Sequence, residues 1–149
     1  MPQAMTIDIV KELIKSYSAG HRRFVRESKA AERYYENKND ILFGIGKKRD
    51  NDPLRNADNR IPRNFHGLLV NQKAAYMFSA PPLFDVGNEK ANRQIADLLG
   101  DKYAKVCKDL CIKASNCKVA WLHYWKDDDG QWKYGVIDPK QIIPVYSAD

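Results

Sequence analysis

Val119 to Ile137, VAWLHYWKDDDGQWKYGVI, decides the fold. Two stretches rich in Trp, Tyr and Val flank Asp127-Asp128-Asp129-Gly130, a run that suits a turn and neither a helix nor a strand. The reading is a β-hairpin whose arms are Val119–Trp125 and Trp132–Ile137. Alternation puts Val119, Trp121, His123 and Trp125 on one face, and the three tryptophans are expected to be mostly buried. Asp138-Pro139 makes another turn, and Ile142–Tyr146 reads as a third strand. The sequence stops soon after, at Asp149, so the sheet is expected to continue in further chain.

Upstream of the hairpin the apolar period is helical. Tyr103, Val106, Cys107, Leu110 and Ala114 stripe a helix over Asp101–Ser115. Gly100 separates it from a helix over Glu89–Leu99, with Ala91, Ile95, Leu98 and Leu99 inward. Leu83–Val86 suits a short strand, and Gly87-Asn88 a turn. Ser79-Ala80-Pro81-Pro82 stops a helix that begins near Pro62. In that helix Phe65, Leu69, Gln72 and Tyr76 fall at 0, 4, 7 and 11, with Leu68 alongside; Phe65, Leu69 and Tyr76 are assigned to the core. Lys47–Asn59 is polar and irregular, a long loop, after the short apolar run Ile41–Phe43. The first 40 residues read as two helices. Thr6 caps the first, which carries Val10, Leu13, Ile14 and Tyr17 and ends at Gly20. The second runs from His21 to Asn37 with Phe24, Ser28, Ala31 and Tyr35 on one face. The class is therefore α+β, in one domain of 149 residues: a helical arm (1–40), a loop (41–60) and a core (61–149) of helices packed on a small, mostly antiparallel sheet.

Charge is uneven along the chain. Residues 1–75 hold 15 Lys+Arg against 9 Asp+Glu, and residues 76–149 hold 10 of each. Arg22, Arg23 and Arg26 sit at a helix start, where cations oppose the macrodipole. With Lys47, Lys48 and Arg49 they are candidates for contact with nucleic acid or an acidic protein, or they are a solvated face. No stretch reaches the length of a membrane helix, and Met1–Val10 lacks the pattern of a secretory signal.

Catalytic patterns are missing. Gly44-Ile45-Gly46-Lys47 lacks the phosphate-loop spacing. Asp127–Asp129 are consecutive, not alternating as in a calcium loop. Cys107, Cys111 and Cys117 match no zinc spacing and read as buried small hydrophobes. A cysteine hydrolase pairing Cys117 or Cys107 with His123 has no orienting motif to support it, and His66 reads as a surface or packing residue. No catalytic, metal or cofactor-binding residue is assigned, and the chain reads as a non-enzymatic building block.

Four blocks carry a resemblance. Asn59-Arg60-Ile61-Pro62-Arg63-Asn64-Phe65 leads into a helix ending Ala75-Tyr76-Met77-Phe78-Ser79-Ala80-Pro81-Pro82. Tyr34-Tyr35-Glu36-Asn37 precedes Ile41. Ala114–Trp121 is a small-residue turn entering an aromatic strand, and Val136–Tyr146 ends in Ile-Pro-Val-Tyr. In this order they resemble the portal proteins of tailed bacteriophages of the siphophage type. Asn37 and Cys117 stand where that family usually has Gly.

The resemblance implies a wing portion only, without stem, clip and C-terminal regions. It also implies a ring, usually of twelve subunits, at one capsid vertex of the virion, assembled in the host bacterial cytoplasm. Double-stranded DNA would pass through the ring, and terminase, scaffolding or major capsid protein and head-completion proteins would dock on it. Asn59, Arg60 and Asn64 would anchor the loop to the helix, with Ile61, Phe65, Tyr76 and Pro81 as the remaining motif residues. Arg60 and Arg63 could instead bridge to a neighbouring subunit. The rival reading is a free-standing basic nucleic-acid-binding module, with the aromatic hairpin stacking on bases.

Overall fold

The computed structural model describes residues 6–43 and 61–146, without the side chains of Leu42 and Phe43. The predicted loop over 47–59 lies outside the described residues. The elements are α1 (Ile7–Tyr35), α2 (Asp40–Phe43), α3 (Phe65–Met77), α4 (Glu89–Leu99), α5 (Tyr103–Cys117), β1 (Trp121–Lys126), β2 (Trp132–Ile137) and a 3-10 turn (Pro139–Gln141). The class is α+β, as expected.

The two N-terminal helices predicted from Gly20 are one helix of 29 residues. Its apolar stripe does not change phase at the glycine. Val10, Tyr17, Phe24 and Ala31 repeat every seven residues, and so do Ile14, His21, Ser28 and Tyr35. A helix interior tolerates one glycine at a cost of about 1 kcal/mol against alanine, less than breaking a continuous packed stripe. Thr6 is the N-cap residue, although its side chain makes no capping bond. The real end comes at Asn37, whose φ of 62° is left-handed. Asn tolerates that geometry, so this departure from the family pattern is accommodated.

The core forms where α1, α3 and α5 pack on one another, with the 3-10 turn on α1 and β2 on α5. Gly67, Val70 and Ala74 are the buried residues of α3. The predicted inward face is the exposed one: Phe65 is 66%, Leu69 64% and Tyr76 85% exposed. Apolar residues surround this helix nearly all the way round, so spacing alone could not pick a face. Close approach of three helices selects the small side chains. On α5, Cys107, Cys111 and Cys117 are buried and free, as expected of small hydrophobes.

α4 has the predicted bounds. The Asn88 side chain caps it by accepting from the Lys90 and Ala91 N–H groups at 2.9 and 3.2 Å. Ala91, Ile95 and Leu99 are half-buried, and Leu98 is exposed. β1 and β2 form an antiparallel pair in the register Trp121↔Ile137 to Lys126↔Trp132. The turn between them is held by Gly130, which donates to the Asp127 carbonyl at 2.9 Å with φ at 73°. Neither Leu83–Val86 nor Ile142–Tyr146 is a strand; both are irregular. A strand exists only with a partner, and the described sheet is two-stranded. Leu83–Val86 is tied instead to α4: Asn92 accepts from the Val86 N–H at 3.0 Å and donates to Asp85 at 3.1 Å. Among the described residues no helix is long and apolar enough to cross a membrane.

Candidate interaction site

The basic residues of α1 split into two groups. Lys15, Arg22, Arg26 and Lys29 fall at 0, 7, 11 and 14, which aligns them on the face opposite the apolar stripe. All four are exposed, and no carboxylate among the described residues pairs with them. Arg23 is diverted, because its Nε donates to Glu27 Oε1 at 3.0 Å. Arg33 is likewise tied to Asp40. The structure therefore groups Arg22 and Arg26 but not Arg23. It adds Lys15 and Lys29, which sequence reading missed and helical spacing could have supplied. Lys47, Lys48, Arg49, Asn59 and Arg60 lie outside the described residues. Arg63 is exposed at the start of α3, where its carbonyl accepts from Asn39 at 3.4 Å.

Asn64 joins α3 to α1. Its Oδ1 accepts from the Gly67 N–H at 2.9 Å, capping α3, and its Nδ2 donates to the Tyr35 carbonyl at 3.0 Å. A Cβ on Gly67 would lie 2.5 Å from Asn64 Nδ2, so the cap needs glycine there. Ile61, Phe65, Tyr76 and Pro81 are all exposed; of the described motif residues only Asn64 is a polar anchor.

A second polar cluster fastens the C-terminal part of the chain to α1. Lys140 Nζ donates to both Glu32 oxygens at 2.6 Å and pairs with Asp138 at 3.0 Å. Burial disfavours the Lys140 charge, but the bonds to Glu32 and Asp138 outweigh it and hold the ammonium above its usual pKa. Burial likewise opposes the Asp138 charge. The Lys140 N–H and ammonium overcome that and keep Asp138 low. Further along α1, Lys118 and then Arg23 pull Glu27 down to about 2.

Cys117 is held as a buried thiol. Cys117 is 1% exposed and its thiol donates to Glu32 at 3.8 Å. Burial pushes that thiol up, away from the thiolate form. His123 is instead stacked on Trp125, ring centres 5.4 Å apart. His66 hydrogen-bonds Asn116 at 2.8 Å, a packing role as expected.

The hairpin departs from expectation. Trp125 is 42% and Trp132 47% exposed, and only Trp121 is half-buried. The base of the hairpin is anchored, since the Tyr134 hydroxyl donates to the Leu99 carbonyl. The outer half carries aromatic groups on both faces: His123 and Trp125 on one, Tyr124 and Trp132 on the other. Lys126 lies over the Trp132 ring at 5.3 Å. Sequence alternation assumed one covered face, and the described residues cover only the base.

The family model described as "Phage portal protein, SPP1 Gp6-like" matches residues 14–149. A portal protein of Clostridium phage phiCD119 is 44% identical over 153 residues, covering 95% of this chain and 33% of that protein. A portal protein of Bacillus phage SPP1 is 26% identical over 121 residues, covering 76% of this chain and 24% of that protein. The chain thus spans a third or less of the curated relatives it matches.

Proposed function

The chain belongs to the SPP1 Gp6-like family of phage portal proteins, and on that footing we propose that it serves as a structural subunit of a portal ring. The observation that carries this reading is the family match from residue 14 to residue 149. The ring, of twelve copies in the usual arrangement, forms the head–tail connector at one capsid vertex of the virion. Double-stranded DNA is packaged and ejected through it. The chain belongs to its wing, with 1–40 as an arm, 41–60 as a loop and 61–149 as the core. Terminase, capsid or scaffolding protein and head-completion proteins dock on the ring, which assembles in the host cytoplasm. The role is mechanical and not catalytic.

Exposed basic groups on α1 support contact with an acidic partner. If that partner is DNA, binding falls steeply with salt, because each phosphate contact releases counterions. Light scattering with electron microscopy tests the ring. Closed rings of uniform subunit number are expected of a protein of the relatives' full length that carries this chain, and such a protein staying monomeric under assembly conditions overturns the reading.

The exposure of Trp125 and Trp132 favours one second reading, a nucleic-acid-binding module that stacks bases on the hairpin. Quenching of tryptophan fluorescence by single-stranded DNA would support it. Quenching by iodide without any response to DNA would dismiss it.

A further inference from the structure

Two surfaces of this chain are unsatisfied in complementary ways. The hairpin tip presents Asp128 and Asp129, exposed and without a cationic partner among the described residues, whereas Asp127 is held by Lys133 at 3.5 Å. Beside them lie the rings of Tyr124 and Trp132, 67% and 47% exposed. Along α1 the exposed cations Lys15, Arg22, Arg26 and Lys29 are also unpaired among the described residues, and they span about 21 Å at 1.5 Å per residue.

We propose that the acidic, aromatic tip of the β1–β2 hairpin in one copy docks on the basic face of α1 in the next copy. The inference rests on the ring reading and names the surfaces that meet.

Three observations support it. First, the charges are opposite and both sets lack partners among the described residues, so contact steers association and fixes register. Second, Trp132 already holds one cation over its ring, that of Lys126 at 5.3 Å. A guanidinium from Arg22 or Arg26 stacks on Tyr124 or Trp132 by the same physics, and buried Tyr, Trp and Arg dominate interface energetics. Third, the surfaces are different patches of one chain. A contact between unlike patches is head-to-tail and generates a ring when the rotation closes. The carboxylates at the tip repel phosphate, which disfavours nucleic acid as the occupant of the hairpin.

Charge exchange tests the pairing in the full chain, read by sedimentation equilibrium at low salt. One variant carries Asp128→Lys and Asp129→Lys; Asp127 and Gly130, which hold the turn, are unchanged. The other carries Arg22→Glu and Arg26→Glu. Each alone is expected to weaken self-association about tenfold or more, with an unaltered circular dichroism spectrum. Mixing the two restores it, because the lysine tip of one meets the glutamate face of the other.

If the wild type assembles and both variants assemble equally well, the docking is overturned and the ring reading stands. A wild type that stays monomeric at its highest soluble concentration overturns the docking, whereas the ring reading is decided by electron microscopy of a protein of the relatives' full length. If Arg22→Glu/Arg26→Glu loses binding to a double-stranded oligonucleotide but keeps wild-type self-association, the face belongs to nucleic acid and the proposal fails. Self-association lost in both variants but not recovered on mixing also overturns the pairing.

Discussion

Asn64 performs two tasks with one side chain, capping α3 through Gly67 and holding the Tyr35 carbonyl. Asn64→Ala is expected to cost about 1–2 kcal/mol and to lower the melting temperature accordingly. Gly67→Ala evicts the same cap, since its Cβ would meet Asn64 at 2.5 Å. The two losses therefore overlap: the double variant should be clearly less destabilised than the sum of the singles. Strict additivity in thermal melts would show that the cap is not shared. The ion pairs predict the pH response with definite signs. Glu27, ordinarily near 4.5, is depressed to about 2, and Asp138 is depressed as well. The Glu27 contribution is present above about 4.5 and is lost as pH falls towards 2; that of Asp138 is likewise present above its ordinary range and lost as pH falls below it. Lys140 is raised above 10.5, so its contribution is complete below that value and is lost as pH rises past it. Melting temperature should be level from about 4.5 to about 9.0, above which the buried Cys117 thiol, held up by burial, begins to favour the unfolded chain, and it should fall at both ends. A rise on acidification below 4.5, the ordinary value for Glu27, contradicts the assignment. Glu27 is too exposed for a large share of this effect.

At the scale of elements, α1 is the strongest prediction. Gly20 lies inside a continuous helix, is not among the left-handed glycines, and has nothing within 4 Å of a Cβ placed on it. Gly20→Ala should raise stability by up to about 1 kcal/mol. A helix ending at Gly20 would instead be destabilised by the change, because alanine fits the left-handed cap poorly. The melting temperature decides between them. This element also shows what could be read from sequence. The bounds of α4 and β2 and the Asp127–Gly130 turn were legible, because Asn88, Gly100 and Gly130 carry local signals strong enough to act alone. The face of α3 was not, because Phe65, Leu68, Leu69, Val70 and Ala74 surround it and only the fit against α1 and α5 chooses among them. Leu83–Val86 and Ile142–Tyr146 have strand composition, but pairing makes a strand, and composition does not supply a partner. The basic face of α1 was half legible: the Arg22–Arg23–Arg26 cluster stands out in sequence, but helical spacing replaces Arg23 with Lys15 and Lys29.

For the whole molecule, the pattern of exposure fits a part made for assembly. Phe65, Leu69 and Tyr76 on α3 and Tyr124, Trp125 and Trp132 on the hairpin are large apolar or aromatic groups facing outward, and groups of this kind gather at interfaces. The four blocks that carry the portal resemblance lie in family order, and the family model spans 14–149, so identity was legible from sequence where the packing was not. The proposed role as a structural part of a portal is tested most directly by tagging the chain in the phage that encodes it and imaging immunogold on intact virions. Label is expected at a single vertex, at the junction of head and tail. Label spread over the shell, or particles of normal composition that carry no label, would contradict it.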